Sequence, residues 1–229
     1  SKVRLLVPAA EAGGLVWVFT RVGGEAPPLE GVPATLLEEG VRRRELVETW
    51  DAHWTRAMEN MLDVPHLPFV HRRTIGRQVA AMGDLEGVEV GYELEETPEG
   101  FRMSWRFGGV QDPSSLTWVR PVGMVLELRT PVGALRQHVF CVPAETGRTR
   151  MMVVSTARRP WWARLLPVTL FDGFERWILL EDRAVVETSP PGAVDEADGE
   201  RSVGSDRPTL RFRAWYLEHG RVVPEGGGV

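Results

Sequence analysis

A chain of 229 residues is long enough for one large domain or two small ones, with a substantial core. Hydrophobic residues make up 43% and charged residues 26%, the balance of an ordinary soluble globular chain, and a net charge of -5 offers no basic footprint for nucleic acid. The single cysteine, Cys141, excludes an internal disulfide and fits a reducing cytoplasm; no apolar run approaches the roughly 18 residues that span a membrane, and no signal peptide is visible.

The first element is a strand over 14–22, rich in β-branched and aromatic residues and stopped by Gly23-Gly24. Residues 25–40, with their prolines and acids, read as loop. Residues 48–62 place Trp50, Trp54, Ala57, Met58 and Leu62 at helical spacing and read as a helix. The period then changes to two. Residues 87–95 and 101–107 alternate on either side of Thr97-Pro98-Glu99-Gly100 and read as a hairpin. Further strands are expected at 115–120, 123–130, 134–142 and 149–157, and their short connections imply antiparallel neighbours. A long helical section follows over 160–188, with a kink or split at Pro167 and a stop at Ser189-Pro190-Pro191-Gly192. Residues 193–206 read as an exposed loop and 208–219 as a last amphipathic helix. The expected fold is α+β, a helix-grip (START/Bet v 1-like) arrangement: a curved antiparallel sheet around a long C-terminal helix. A cavity between the two suits a small apolar ligand.

The chemistry concentrates in Glu59-Asn60-Met61-Leu62-Asp63-Val64-Pro65-His66-Leu67-Pro68-Phe69-Val70-His71. Asn60, Asp63 and His66 step by three, about one helical turn each, and Pro65 and Pro68 then break or restart the helix. Two neutral imidazoles beside an acid suit a divalent transition metal. A bare HxxxxH spacing is weak evidence by itself, because histidines fall close together by chance. A third ligand is sought in Trp177–Glu187. On a helical wheel Phe174, Ile178 and Val185 form an apolar stripe, with Glu181 inside it and Asp182 at its edge. Such an acid must be neutralised, paired or bound to metal. The wheel does not choose between the two, and a salt bridge to Arg176 or Arg183 is the plainer alternative. Elsewhere, His53 reads as surface or packing, His138 as a core or exposed strand histidine, His219 as a helix-end charge and Cys141 as a small buried hydrophobe.

The longer pattern N-x-x-D-x-x-H-x-P-F-V-H resembles the catalytic domain of Rieske-type non-haem iron oxygenases, nearest in look to the aromatic O-demethylase and pheophorbide a oxygenase branch. The resemblance implies the same helix-grip fold. It implies that His66 and His71 bind a mononuclear Fe(2+). Asp63 becomes the acid that hydrogen-bonds His66 and passes electrons across a subunit interface, and Asn60 a residue near the iron that is not usually a ligand. The family's acid pair, basic residue and apolar run select Asp182 as third ligand. The implied reaction is O2-dependent hydroxylation or O-demethylation of a small apolar or aromatic substrate. Electrons would come from a Rieske [2Fe-2S] cluster, which one cysteine cannot hold. A Rieske domain or a ferredoxin/reductase donor is therefore expected in trans, with a homotrimer as the family's assembly. Residues 1–24 would lead in from a Rieske domain, 25–220 would form the catalytic domain, and 221–229 a flexible tail. Two rival readings are a helix-grip binding protein without redox activity and a metal-dependent hydrolase.

Overall fold

The structure is a computed structural model that describes residues 7–19, 32–39, 41–76, 90–107, 110–130, 133–158, 169–188, 194 and 201–220. The chain forms two compact units, residues 1–42 and 43–229.

In the first unit, β1 (Ala9–Ala12) and β2 (Leu15–Val18) pair antiparallel, with Ala9 opposite Val18 and Ala12 opposite Leu15. Gly13 and Gly14, at φ 57° and 68°, make the two-residue turn that this twist requires. The Trp17 indole donates to the Ala12 carbonyl at 3.0 Å. The strand expected over 14–22 is thus observed over Leu15–Val18, and residues 20–31 lie outside the described residues. The expected loop contains a 3-10 turn at Ala34–Leu36.

The second unit opens with a difference from the sequence reading. Residues 48–50, expected to begin a helix, instead end strand β3 (Arg42–Trp50), and helix α1 runs only over Trp54–Leu62. Trp50 is fully buried, as its spacing suggested, but it reaches the core from a strand. The break between the elements is pinned from the side: the Thr149 hydroxyl donates to the Ala52 carbonyl at 2.7 Å, and His53 caps α1 by accepting from the Thr55 N–H.

Strands β4 (Val90–Thr97), β5 (Gly100–Phe107), β6 (Val110–Val119), β7 (Gly123–Thr130), β8 (Gly133–Glu145) and β9 (Arg148–Arg158) follow. They join β3 in one seven-stranded sheet of order β3-β9-β8-β7-β6-β5-β4. From β4 to β9 each strand pairs antiparallel with the next, as short turns dictate. All the expected strands of this region are present with shifted ends; residues 87–89 lie outside the described residues.

Alternation sorts the two faces. Phe101, Met103 and Trp105 of β5 are buried, while Arg102 and Arg106, on the other face, are exposed. Met103 sits opposite Leu116, and Leu116 opposite Leu126, so the apolar row continues across strands. Register shifts after Ser104 and Pro143 bend their strands locally. Helix α1 packs Ala57, Met58 and Leu62, all fully buried, into the same cluster. Each large side chain so buried contributes about 1.5–3 kcal/mol.

Helix α2 is a single turn, Leu67–Val70, and α3 spans Thr169–Val186, with Leu179 and Val186 in the core. Residues 160–168 lie outside the described residues, and so does the expected kink at Pro167. Helix α4 (Arg207–Trp215) continues into a π-helical turn at Tyr216–Gly220. It is held by an aromatic group in which Phe212 meets Trp54 and Trp118 edge-on at 5.8 and 5.5 Å. The arrangement is α+β, a seven-stranded, largely antiparallel sheet followed by a long helix, as expected. No helix among the described residues is long and apolar enough to cross a membrane. The tail expected over 221–229 lies outside the described residues.

Candidate metal centre

The histidine stretch is not one continuous helical ridge. Helix α1 ends at Leu62, and Asp63 is extended at φ -88°, ψ 92°. A 3-10 turn, Val64–His66, and then α2 restart the coil, with Pro65 and Pro68 each in a first-turn position. Proline is tolerated there because the first turn has no partner for its missing N–H. The coil closes on His71: its N–H donates to the Leu67 carbonyl at 3.0 Å, and its carbonyl accepts from the N–H groups of Thr74 and Gly76 at 2.9 and 3.0 Å. A Cβ on Gly76 would lie 2.0 Å from the Leu67 carbonyl oxygen, so only glycine permits this closure.

This coil carries both imidazoles toward the same point on α3. Nε2 of His71 lies 3.0 Å from Oδ1 of Asp182, and Nε2 of His66 lies 3.4 Å from the same oxygen. One ligand atom from each of His66, His71 and Asp182 falls within 4.8 Å of the others. His71 and Asp182 are buried, and His66 nearly so. The Asn60 amide donates to Asp182 Oδ1 at 2.9 Å and so orients the carboxylate from α1.

Beyond this trio stands Glu181. Its Oε2 lies 2.9 Å from Nδ1 of His71 and accepts the Thr74 hydroxyl at 2.9 Å. Adjacent acids on α3 thus serve the two nitrogens of one imidazole. The salt bridges offered as an alternative go elsewhere, since Arg176 pairs with Glu48 and Arg183 with Glu187, both at 2.8 Å. The wheel placed Glu181 inside an apolar stripe of Phe174, Ile178 and Val185, but Phe174 and Val185 are exposed, and the face of α3 turned to the core carries Leu179, Asp182 and Val186; the wheel carried no information about His71. The role of Thr74 had no signal in the sequence reading.

Asp63 departs from expectation. Its Oδ2 stands 3.9 Å from Nδ1 of His66, beyond hydrogen-bond reach, because the chain leaves the helix at this residue. Nδ1 of His66 is buried without a hydrogen-bond partner among the described residues. A second polar group adjoins Asp63. Burial raises the Asp63 carboxyl above its ordinary range; His66 opposes the shift and Asp206 adds to it. Burial also raises the Tyr92 phenol, helped by the charges of Asp63 and Asp206.

The electrostatics of the trio keep Asp182 ionised. Burial would raise the Asp182 carboxyl, but the hydrogen bonds and charges of His66 and His71 outweigh it and hold the group at about 2. Burial would lower the His71 imidazolium, but Asp182 and Glu181 together raise it. A carboxylate kept ionised between two imidazoles in a buried site is the donor set of a divalent transition metal. Cis ligands held at about 2.0–2.2 Å from one ion lie about 3 Å apart, close to the observed nitrogen-to-oxygen separations.

The other singled-out residues are structural. His53 caps α1 and meets the Trp54 ring at 6.1 Å. His138 is fully buried in β8, with Nδ1 3.1 Å from the Val154 carbonyl. His219 stacks on Trp215 at 5.8 Å in the last turn. Cys141 is buried in the core, where burial pushes its thiol up.

Residues 50–219 match the family pattern of the vanillate O-demethylase oxygenase C-terminal domain. The chain is 22% identical to chlorophyllide a oxygenase, chloroplastic, of Oryza sativa subsp. japonica, over 91% of its own length and 39% of that protein. Among solved structures, NdmA of Pseudomonas putida CBB5, in a QL mutant with theobromine, superposes with TM-score 0.69 at 21% identity, covering 93% of this chain and 60% of that one. Dicamba monooxygenase bound to dicamba superposes with TM-score 0.70 at 17% identity, covering 94% and 71%. The chain thus spans well under half of its rice relative and about three-fifths of NdmA. Matched over most of its length, the chain belongs to the vanillate O-demethylase oxygenase C-terminal domain family, the catalytic-domain family of Rieske-type oxygenases.

Proposed function

We propose that the chain holds one ferrous iron through His66, His71 and Asp182 and uses O2 to hydroxylate or O-demethylate a small apolar or aromatic substrate. The observation that carries this reading is the meeting of three ligand atoms within 4.8 Å, drawn from two stretches more than 100 residues apart. Ferrous iron held on one face by two imidazoles and a carboxylate supplies open positions for O2 and one-electron redox chemistry. The protein's own part is to fix the ligands. Asn60 orients Asp182 from α1, and burial of His71 and Asp182 keeps water from that side.

Electron balance sets a further requirement. Converting an aryl methyl ether and O2 into a phenol, formaldehyde and water consumes two electrons and two protons. The methyl carbon gains a hydroxyl, and its bond to the ether oxygen then breaks. Cys141, single and buried, cannot provide the two cysteines of a Rieske cluster, so these electrons come from a Rieske domain or a ferredoxin/reductase donor outside this sequence. Asp63 is partly exposed on the turn that carries His66, and Phe69 on the following turn is 63% exposed. This supports Asp63 as the acid facing a cluster-bearing subunit, in a trimer like the family's.

Nitric oxide tests the iron reading without knowledge of the substrate. Anaerobic protein loaded with ferrous iron should give the half-integer-spin EPR signal of an iron nitrosyl. Iron that is bound but silent toward nitric oxide would favour a structural or hydrolytic metal. Supplied with NADH and O2 alone, the iron-loaded chain should not turn over repeatedly, because a ferrous ion supplies only one of the two electrons that each product consumes.

A further inference from the structure

We propose that Glu181 is the positioning residue for His71: it holds Nδ1–H of the imidazole, presents Nε2 to the bound cation, and is itself fixed by the hydroxyl of Thr74. The proposal rests on the metal assignment of His66, His71 and Asp182 and goes beyond it.

Three observations carry it. The first is geometric. Oε2 of Glu181 stands 2.9 Å from Nδ1 of His71 while Nε2 of the same ring points at Asp182 Oδ1, 3.0 Å away. Once a cation takes Nε2, the remaining ring proton belongs on Nδ1, where a carboxylate oxygen accepts it. Metal-binding histidines use such outer partners to fix tautomer and ring orientation, and removing one commonly weakens metal binding 10–100-fold.

The second is the support of Glu181 itself. The Thr74 hydroxyl donates to Oε2 at 2.9 Å, and Thr74 is buried in the turn that closes on the His71 carbonyl. The histidine and the residue that steadies its carboxylate thus sit on one coil, facing one turn of α3. Tilting His71 disturbs both contacts together.

The third is charge. A divalent ion beside Asp182 alone leaves one positive charge in a buried site. Glu181, whose side chain is 17% exposed, supplies the second negative charge at the far side of the imidazole. A buried charge is costly unless it is compensated. His66 has no equivalent: its Nδ1 is without a hydrogen-bond partner among the described residues, and Asp63 lies 3.9 Å away. The two imidazoles are therefore unequal, His71 clamped and His66 not.

Cobalt(II) titration, followed by its visible absorption, reads the affinity directly, and zinc-loaded protein with 15N-labelled histidine reads the tautomer by NMR. Glu181→Gln retains an acceptor but loses the charge; it should weaken cobalt about 10-fold and move the His71 Nδ1–H resonance upfield. Glu181→Leu should weaken cobalt toward 100-fold and let the Nδ1–H proton exchange with water. Thr74→Val should give a smaller loss and leave the tautomer intact. Leu and Gln variants that bind cobalt as the parent does, with an unmoved Nδ1–H signal, would overturn the proposal. Asp182→Ala is the separate control: cobalt bound to it with parental affinity would sink the metal assignment itself, whatever Glu181 does.

Discussion

At the scale of single residues, the site is asymmetric in the far nitrogens of its two histidines. His71 meets Glu181 at 2.9 Å, whereas His66 meets Asp63 only at 3.9 Å. A carboxylate at that distance contributes to the charge of the site without fixing the ring. Asp63→Asn should therefore leave iron binding within about threefold of the parent, less than the 10–100-fold commanded by a true outer partner. It should abolish turnover driven by a Rieske donor in trans. The paired measurement is iron affinity and donor-driven product formation on the same preparation. Loss of iron with donor-driven turnover per bound iron unchanged would remove Asp63 from the electron path. The meeting of His66, His71 and Asp182 was legible through the family resemblance: a long motif carries the two histidines, and the family's acid pair selects Asp182 where the wheel left the choice open. Glu181 was not. A helical wheel gives the direction of a side chain around α3, not its reach to a partner 110 residues away.

At the scale of elements, the histidines depend on a coil built from irregular pieces. An extended Asp63, a 3-10 turn, one α-helical turn and the closure at Gly76 together set the angle between the two rings, 65° at 5.1 Å. Gly76→Ala would drive a Cβ into the Leu67 carbonyl, with backbone rather than a yielding side chain in the way. It should cost about 2 kcal/mol of stability, as overpacking does, and weaken iron binding because His71 moves with the closure. Denaturant unfolding and an iron titration check both parts; an unchanged midpoint and affinity would show that the coil is looser than it looks. The hairpins were legible because turn residues such as Thr97-Pro98-Glu99-Gly100 interrupt strict alternation, and the Gly100 N–H donates to the Thr97 hydroxyl at 3.1 Å. Strand β3 was not. It lies at the end of the sheet order, where charged residues such as Arg43, Arg44, Glu45 and Glu48 are tolerated, and that composition hides an edge strand. Trp50 then completed a helical spacing with Trp54 by coincidence of position.

At the scale of the whole second unit, the sheet and α1 form a fixed base, and the site is assembled where α1 and its following coil meet α3. Ala57, Met58 and Leu62 face the sheet, while Asn60 of the same helix faces Asp182. A second tie runs the other way. Glu59 of α1 joins Arg213 of α4 and also lies 3.3 Å from Arg56, so charge as well as aromatic packing fixes α4 to α1. The α+β arrangement and the run from β4 to β9 were legible from strand spacing, because short turns leave antiparallel neighbours as the simplest solution. The meeting of residues 60–71 with Asp182 was expected from the family resemblance, not from periodicity. It depends on where a long helix returns across the sheet, which local periodicity does not encode.

The central claim is that His66, His71 and Asp182 bind one metal ion together, and anaerobic iron loading tests it most directly. Protein loaded with ferrous iron, desalted without oxygen and assayed for metal should carry one iron per chain. Alanine at His66, His71 or Asp182 should each weaken binding by at least about 100-fold, more than loss of an outer partner, with near-ultraviolet circular dichroism unchanged to show an intact fold. Iron that survives Asp182→Ala at full stoichiometry, or a parent protein that takes up no iron at all, would contradict it.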